Sequence, residues 1–125
     1  MKRLEFTAPV IHGRHLGHAL GVPTINQFPP DEFAALPRGV YFSRCELDGA
    51  TYPAVSNLGV KPTVTEDHTL ICETHILGLD RDLYGQNIKT ELVFFSRPER
   101  KFSSVDELVK TLATDIKAAK EYFGS

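Results

Sequence analysis

A chain of 125 residues that is 42% hydrophobic, 24% charged and 10% aromatic has the composition of one globular domain, large enough for a core without a metal or disulfide staple. Fourteen Lys and Arg against sixteen Asp and Glu give a net charge of −2 with no long block of either sign, so the basic footprint of a nucleic-acid binder is missing. Apolar runs reach about half the ~20 residues of a membrane span, and Met1-Lys2-Arg3-Leu4-Glu5 lacks a signal-peptide run. The expectation is a cytoplasmic, monomeric single domain over residues 1–125, with no membrane or nucleic-acid partner.

Leu4 to Ile11 carries Phe6, Thr7, Val10 and Ile11 around Pro9 and predicts a short strand, which Pro9 confines to a sheet edge. Gly13, Gly17 and Gly21 then recur every fourth residue up to Pro23-Thr24, a pattern poor for helix or strand and suited to a long shaped loop. Residues 28–38 hold Pro29, Pro30 and Pro37 around Phe28 and Phe33, an irregular connection with one helical turn near Asp31. Gly39–Leu47 and Thr51–Asn57 flank Asp48-Gly49 and form the clearest hairpin. Leu70–Leu77 and Ile88–Phe95 supply two further strands, joined through polar residues 80–87. A helix starts near Ser104, with Glu107 completing a capping box, Val105, Leu108, Val109, Leu112, Ile116 and Ala119 on one stripe, and Gly124 at the C-cap. The layout is several antiparallel strands followed by one packed helix, and a small barrel would hide the strand edges. Cys45 and Cys72, each inside an apolar strand, read as reduced, buried thiols.

Several residues invite chemistry. His12, His15 and His18 fall at three-residue intervals, but zinc helices pair histidines at i, i+4 around a glutamate, so they are read as loop histidines. The glycine run matches neither the dinucleotide fingerprint nor the Walker sequence. Gly13, Gly17 and Gly21 still leave backbone N–H groups unshielded, as a phosphate-wrapping loop requires and as a merely flexible loop also would. Thr24 and Asn26 behind Pro23 offer a hydroxyl and an amide oxygen two positions apart: hard donors for Mg²⁺, or the ordinary polar groups of a proline turn. Glu73 interrupts an apolar strand and shares a face with Ile71, His75 and Leu77. An inward face would desolvate the carboxylate and favour proton acceptance, an outward one would make a surface charge, and the pattern leaves both open. His75 is either its partner or a satisfied histidine at the rim. Arg97 to Phe102 combines cations, Glu99 and an aromatic ring, suited to a ligand rim or simply to the charges at a helix start. Asn57 to Thr63 reads as a second polar corner that turn chemistry mostly explains.

In this order the segments resemble the riboflavin kinase (flavokinase) family, including the kinase module of bacterial bifunctional FAD synthetases, over nearly the full chain. The family's glycine loop running into Leu-Gly-Phe-Pro-Thr-Ala-Asn is similar to Gly13 through Gly17 to Leu20-Gly21-Val22-Pro23-Thr24-Ile25-Asn26. Its Gly-Val-Tyr strand is similar to Gly39-Val40-Tyr41, and its Asn-Ile-Gly-x-x-Pro-Thr corner to Asn57 through Thr63. The glutamate strand is similar to Glu73-Thr74-His75-Ile76, and Leu-Tyr-Gly to Leu83-Tyr84-Gly85. Arg-x-Glu-x-x-Phe is similar to Arg97, Glu99 and Phe102, and the aspartate of the final helix to Asp115.

The resemblance implies an all-β fold, a six-stranded antiparallel Greek-key barrel with a C-terminal α-helix, and an ATP:riboflavin 5′-phosphotransferase that makes FMN and ADP with Mg²⁺. It implies nucleotide contacts from Gly13, Gly17, His18, Gly21, Thr24 and Asn26, metal ligation by Thr24 and Asn26, Glu73 as catalytic base, and flavin contacts from Arg97, Glu99 and Phe102. The kinase reading rests on the Glu73 side chain facing the interior of the sheet close to Thr24 and Asn26, and a carboxylate projecting into bulk solvent remote from both would overturn it. His18 stands where the family usually has Arg or Lys, making a permanent charge pH-dependent, while Ala8 and Val22 replace a common glycine and the usual Phe. His18 motivates the alternative reading, a catalytically weak flavin- and nucleotide-binding module of the same fold. An oligonucleotide-binding barrel is disfavoured by the charge balance, and FAD synthesis is not expected of these residues.

Overall fold

Alternating strands separated by tight turns curl into a single sheet in the computed structural model, which describes residues 4–11, 21–62 and 68–124. The strands are β1 (Leu4–Pro9), β2 (Ile25–Gln27), β3 (Gly39–Leu47), β4 (Ala50–Pro62), β5 (His68–Ile76) and β6 (Asn87–Pro98). A short 3₁₀ turn (Asp31–Ala35) precedes β3, and α1 (Val105–Tyr122) follows β6. All pairings are antiparallel, in the order β1-β6-β3-β4-β5-β2. The run β3-β4-β5 is a meander and β6 returns beside β3, so the fold is the expected all-β Greek key, a curled half-barrel with one C-terminal helix. Among the described residues no helix is long and apolar enough to cross a membrane.

Local chemistry sets these elements. Asp48 (φ 52°) and Gly49 (φ 79°) both take left-handed backbone between β3 and β4, the two-residue turn whose twist matches its strands. β1, which carries Pro9, lies at one end of the sheet. Register shifts in the β3–β6 pairing, between Val40 and Tyr41 and between Phe42 and Ser43, add local twist and help the sheet curl.

Strand alternation divides the sheet into two faces. The inward set Ser43, Cys45, Leu47, Ala54, Ser56, Leu58, Cys72, Thr74, Ile76, Ile88, Thr90 and Leu92 is at most 4% exposed. Its polar members satisfy one another: Ser56 Oγ lies 2.7 Å from both Ser43 Oγ and Thr74 Oγ1. Thr90 Oγ1 donates to Gln27 Oε1 at 2.7 Å. The ends of the sheet, β1 and β2, share no ladder. Among the described residues they are joined by one bridge, Ile11 to Asn26, in which Ile11 N–H donates to the Asn26 carbonyl at 2.8 Å. Beside it, Gln27 Nε2 donates to the Ala8 and Ile88 carbonyls at 2.9 and 2.8 Å. A fully buried side-chain amide thus takes over work that backbone pairing does elsewhere.

Cys45 and Cys72 are free and completely buried, as the sequence leads one to expect. Burial pushes their thiols up to about 12 and about 11. Native protein at pH 8 should therefore resist a thiol-alkylating reagent at both positions and take up two equivalents only in denaturant. Labelling of either cysteine at the rate of a free thiol would contradict this burial. The unfolded thiols ionise near pH 9 and the folded ones do not, so stability should decline as pH rises from about 9 toward 11.

Three sequence expectations need correction. Ser104 caps α1 by accepting from Glu107 N–H at 3.1 Å, but the Glu107 carboxylate bonds Ser103 Oγ and Arg100 Nη2 and so does not complete the reciprocal box. The helix stripe is buried only in its second half. Ala119, with Ile116 beside it, packs on Phe42 and Leu77, whereas Val105 and Val109 are 60% and 39% exposed. Finally, Asn57 to Pro62 is no corner but the second half of the 13-residue strand β4, and Thr63 lies outside the described residues.

Candidate functional site

Backbone register lays one row of side chains across the sheet. Asn26 on β2 is opposite Glu73 on β5, Glu73 is opposite Asn57 on β4, Asn57 is opposite Val40 on β3, and Val40 is opposite Arg97 on β6. Directly opposed residues share a face. Glu73 lies between Cys72 and Thr74, both fully buried in the interior, so the row belongs to the outer face of the sheet. The expectation that Glu73 faces the interior is therefore wrong. The interior positions of β5 on either side of Glu73 are filled by a thiol and a hydroxyl, Cys72 and Thr74, among which an ionised carboxylate would lose its water and find no cation.

The outer carboxylate is nevertheless half-buried and held. Thr24 Oγ1 donates to Glu73 Oε2 at 3.1 Å. Two residues along β5 on the same face, His75 Nδ1 donates to the Pro23 carbonyl at 2.7 Å, so β5 fixes both halves of the Pro23-Thr24 step. This makes His75 a satisfied histidine, one of the two roles open from the sequence. Thr24 and Asn26 also line a cavity of about 440 Å³, walled by Val10 and Ile11 on one side and by residues 80–84 on the other. That second wall is anchored where Gly85 N–H donates to the Val10 carbonyl and Val10 N–H to the Gln86 carbonyl, each at 2.9 Å. Leu83 is buried in the core cluster and Tyr84 is left half-exposed beside the cavity.

At the other end of the row stands Arg97, three strands from Glu73, or roughly 14 Å at the usual interstrand spacing. Its guanidinium is bidentate on buried Asp115 of α1, with Nε and Nη2 donating at 2.9 and 2.8 Å. The helix thus sets the direction in which the cation points. Gly39 permits this approach of β3 to β6: its φ is 148°, and a Cβ there would collide with the Arg97 carbonyl and lie 2.8 Å from Pro98 Cα. The Glu99 carboxylate rests on Gly59, next in line after Asn57 on the outer face of β4. Phe102 is half-buried in the β6–α1 connection, with the Arg100 guanidinium 5.1 Å from its ring centre.

Of the residues expected at a site, the structure gathers Thr24, Asn26 and Glu73. It places Arg97 and Glu99 farther across the same face and leaves Phe102 in the β6–α1 connection, against Arg100. Gly21, exposed and with φ 83°, turns the chain just before Pro23. Gly13, Gly17 and His18, with His12 and His15, lie outside the described residues. The member that sequence reasoning missed is Asn57, absorbed into a supposed corner. Its signal was the alternation Ser56-Asn57-Leu58-Gly59, which continues the hairpin strand.

Among the described residues no group of three His, Cys, Asp or Glu side chains gathers to hold a metal. The donor set on offer is oxygen: the Thr24 hydroxyl and the Asn26 amide beside a carboxylate. It fits Mg²⁺, which takes few protein ligands when phosphates and water supply the others. A hydroxyl that gives its proton to Glu73 keeps lone pairs for a cation.

A family model described as flavokinase, riboflavin kinase, matches residues 1–123. The bifunctional riboflavin kinase/FMN adenylyltransferase of Escherichia coli (strain K12) is 37% identical over 116 residues, covering 92% of this chain and 36% of that protein. The protein of the same name from Bacillus subtilis (strain 168) is 34% identical over 118 residues, covering 93% and 37%. The chain therefore spans about a third of the length of these relatives. Among solved structures, one named as a macrolide-efflux protein from Streptococcus pneumoniae superposes with a TM-score of 0.83 at 28% identity, covering 94% of this chain and 38% of that one. Riboflavin kinase from Trypanosoma brucei superposes with a TM-score of 0.68 at 19% identity, covering 100% and 82%, a likeness of fold.

Proposed function

The chain belongs to the riboflavin kinase family, and from that premise we propose that it transfers the γ-phosphate of ATP to the ribityl 5′-hydroxyl of riboflavin, giving FMN and ADP. The observation that carries the proposal is the Thr24–Glu73 hydrogen bond beside the 440 Å³ cavity. It joins hard oxygen donors to a carboxylate within one strand spacing.

Phosphoryl transfer depends mainly on alignment and on charge stabilisation. Thr24 and Asn26 would hold Mg²⁺, which when bound offsets the negative charge of the triphosphate. The cavity between Thr24–Asn26 and residues 80–84 takes the nucleotide, and Gly13, Gly17, His18 and Gly21 are assigned to its phosphates by the resemblance. Glu73, oriented by Thr24, accepts the 5′-hydroxyl proton as that oxygen bonds the γ-phosphorus and the bond to the ADP oxygen breaks. Arg97, locked on Asp115, stands at the far end of the row, the Glu99 carboxylate lies over Gly59 between it and Glu73, and Phe102 completes the set of flavin contacts. A flat flavin ring that reaches inward from there directs its sugar-alcohol tail along the row toward Glu73. On this reading the chain acts as a single cytoplasmic domain and as a monomer.

The test is to incubate the protein with riboflavin, ATP and MgCl₂ and to resolve the flavins chromatographically. FMN and ADP should form in equal amounts, and EDTA should abolish both. Tight binding of both substrates without FMN would leave the weak binding module of the same fold in place of the enzyme.

A further inference from the structure

Asn57 Oδ1 is the single side-chain nitrogen or oxygen, among the described residues, that is both buried and without a hydrogen-bond partner. Such an atom costs stability unless something outside the protein supplies a donor. The row explains the vacancy. Asn57 stands between Glu73, which when ionised only accepts, and Val40, which offers nothing. Glu73 already accepts from Thr24, so the acceptor that calls for a hydroxyl donor is Asn57 Oδ1.

Position narrows the choice. Glu73 is flanked by Asn26 on the β2 side, where the oxygen donors and the cavity lie, and by Asn57 on the β4 side, toward Arg97. An alcohol that reaches Glu73 from the flavin end must pass over Asn57 before it meets the phosphates. Resting on the function proposed above, we propose that Asn57 Oδ1 accepts a hydrogen bond from a ribityl hydroxyl other than the reacting one. It thereby holds the tail so that its terminal hydroxyl meets the Glu73 carboxylate. Asn57 is then a specificity residue for the polyol tail, separate from the base and from the oxygen donors at Thr24 and Asn26.

Asn57→Ala and Asn57→Val test this, with Val chosen to fill the strand position. Flavin binding is read by fluorescence titration, using riboflavin and lumiflavin, which carries a methyl group in place of the tail. Both variants should weaken riboflavin binding by about tenfold and leave lumiflavin binding and the KM for ATP within about twofold. Their ligand-free melting temperatures should equal or exceed that of the parent, because an unsatisfied acceptor has been removed. Riboflavin affinity unchanged in both variants would overturn the inference. So would equal losses for the two flavins, lower melting temperatures in both variants, or a fall in kcat with riboflavin affinity intact, which would assign the amide to the carboxylate. FMN formation by the parent protein is scored separately: a parent that binds riboflavin but makes no FMN refutes the kinase reading and leaves the binding comparison standing.

Discussion

Glu73→Gln is expected to lower the turnover number by about 10²–10⁴-fold, the usual worth of a positioned proton acceptor, while riboflavin and ATP affinities stay within about threefold. Glutamine keeps the volume of the side chain and an oxygen that can accept from Thr24, so the Pro23-Thr24 step should hold its place. What disappears is an oxygen basic enough to take the hydroxyl proton. The comparison is between single-turnover FMN formation and equilibrium flavin binding in the same preparation. Turnover within tenfold of the parent would remove Glu73 from the role of base. A parallel loss of riboflavin binding would instead mean that the carboxylate holds the substrate rather than reacting with it.

The largest effect on folding is expected from Gln27→Leu. The substitution preserves size and buries more carbon, yet it leaves Thr90 Oγ1 without its acceptor and withdraws a donor from the Ala8 and Ile88 carbonyls. At about 1–3 kcal/mol for each buried polar group left unsatisfied, partly relaxed by neighbours, the loss should reach about 3–5 kcal/mol. For a domain of this length that is a fall in melting temperature of about 10–20 °C. Urea unfolding of the two proteins gives the comparison directly. A difference below about 1 kcal/mol would mean that the amide fills space and does not join the ends of the sheet.

Where local chemistry decides structure, the sequence could be read. Asp48-Gly49 has few alternatives to a tight hairpin, Pro9 cannot serve two neighbours, and Ser104 begins a helix whose first N–H groups need an acceptor. The grouping of Thr24, Asn26 and Glu73 came from the resemblance, because spacing alone could not pair residues 49 positions apart. Side-chain orientation was harder. Alternation grouped Glu73 with Ile71 and His75, but which face met solvent depended on the curl of the whole sheet, and the interior proved to be the face of Cys72 and Thr74. Asn57 was misread because Gly59, Pro62 and Thr63 carry the composition of a turn, whereas β3 and β5 together hold Asn57 extended and β5 alone holds Gly59. Gln27 gave no local signal at all. Its importance comes from contacts to Ala8, Ile88 and Thr90, far apart in the chain.

Asn26 has a double position: its backbone carbonyl takes a bridge between the ends of the sheet, and its residue faces Glu73. It is the keystone of an almost closed ring. Asn26 also lines the cavity proposed for the nucleotide, so occupancy of that cavity and closure of the ring should be linked, and ligand at a hundred times its dissociation constant adds about 2.7 kcal/mol to whatever state grips it. The tightening should concentrate at the joint, so amide exchange at Ile11 and at Ile25–Gln27 should slow more on nucleotide binding than exchange in the β3–β4 hairpin, which is clasped on both sides without help.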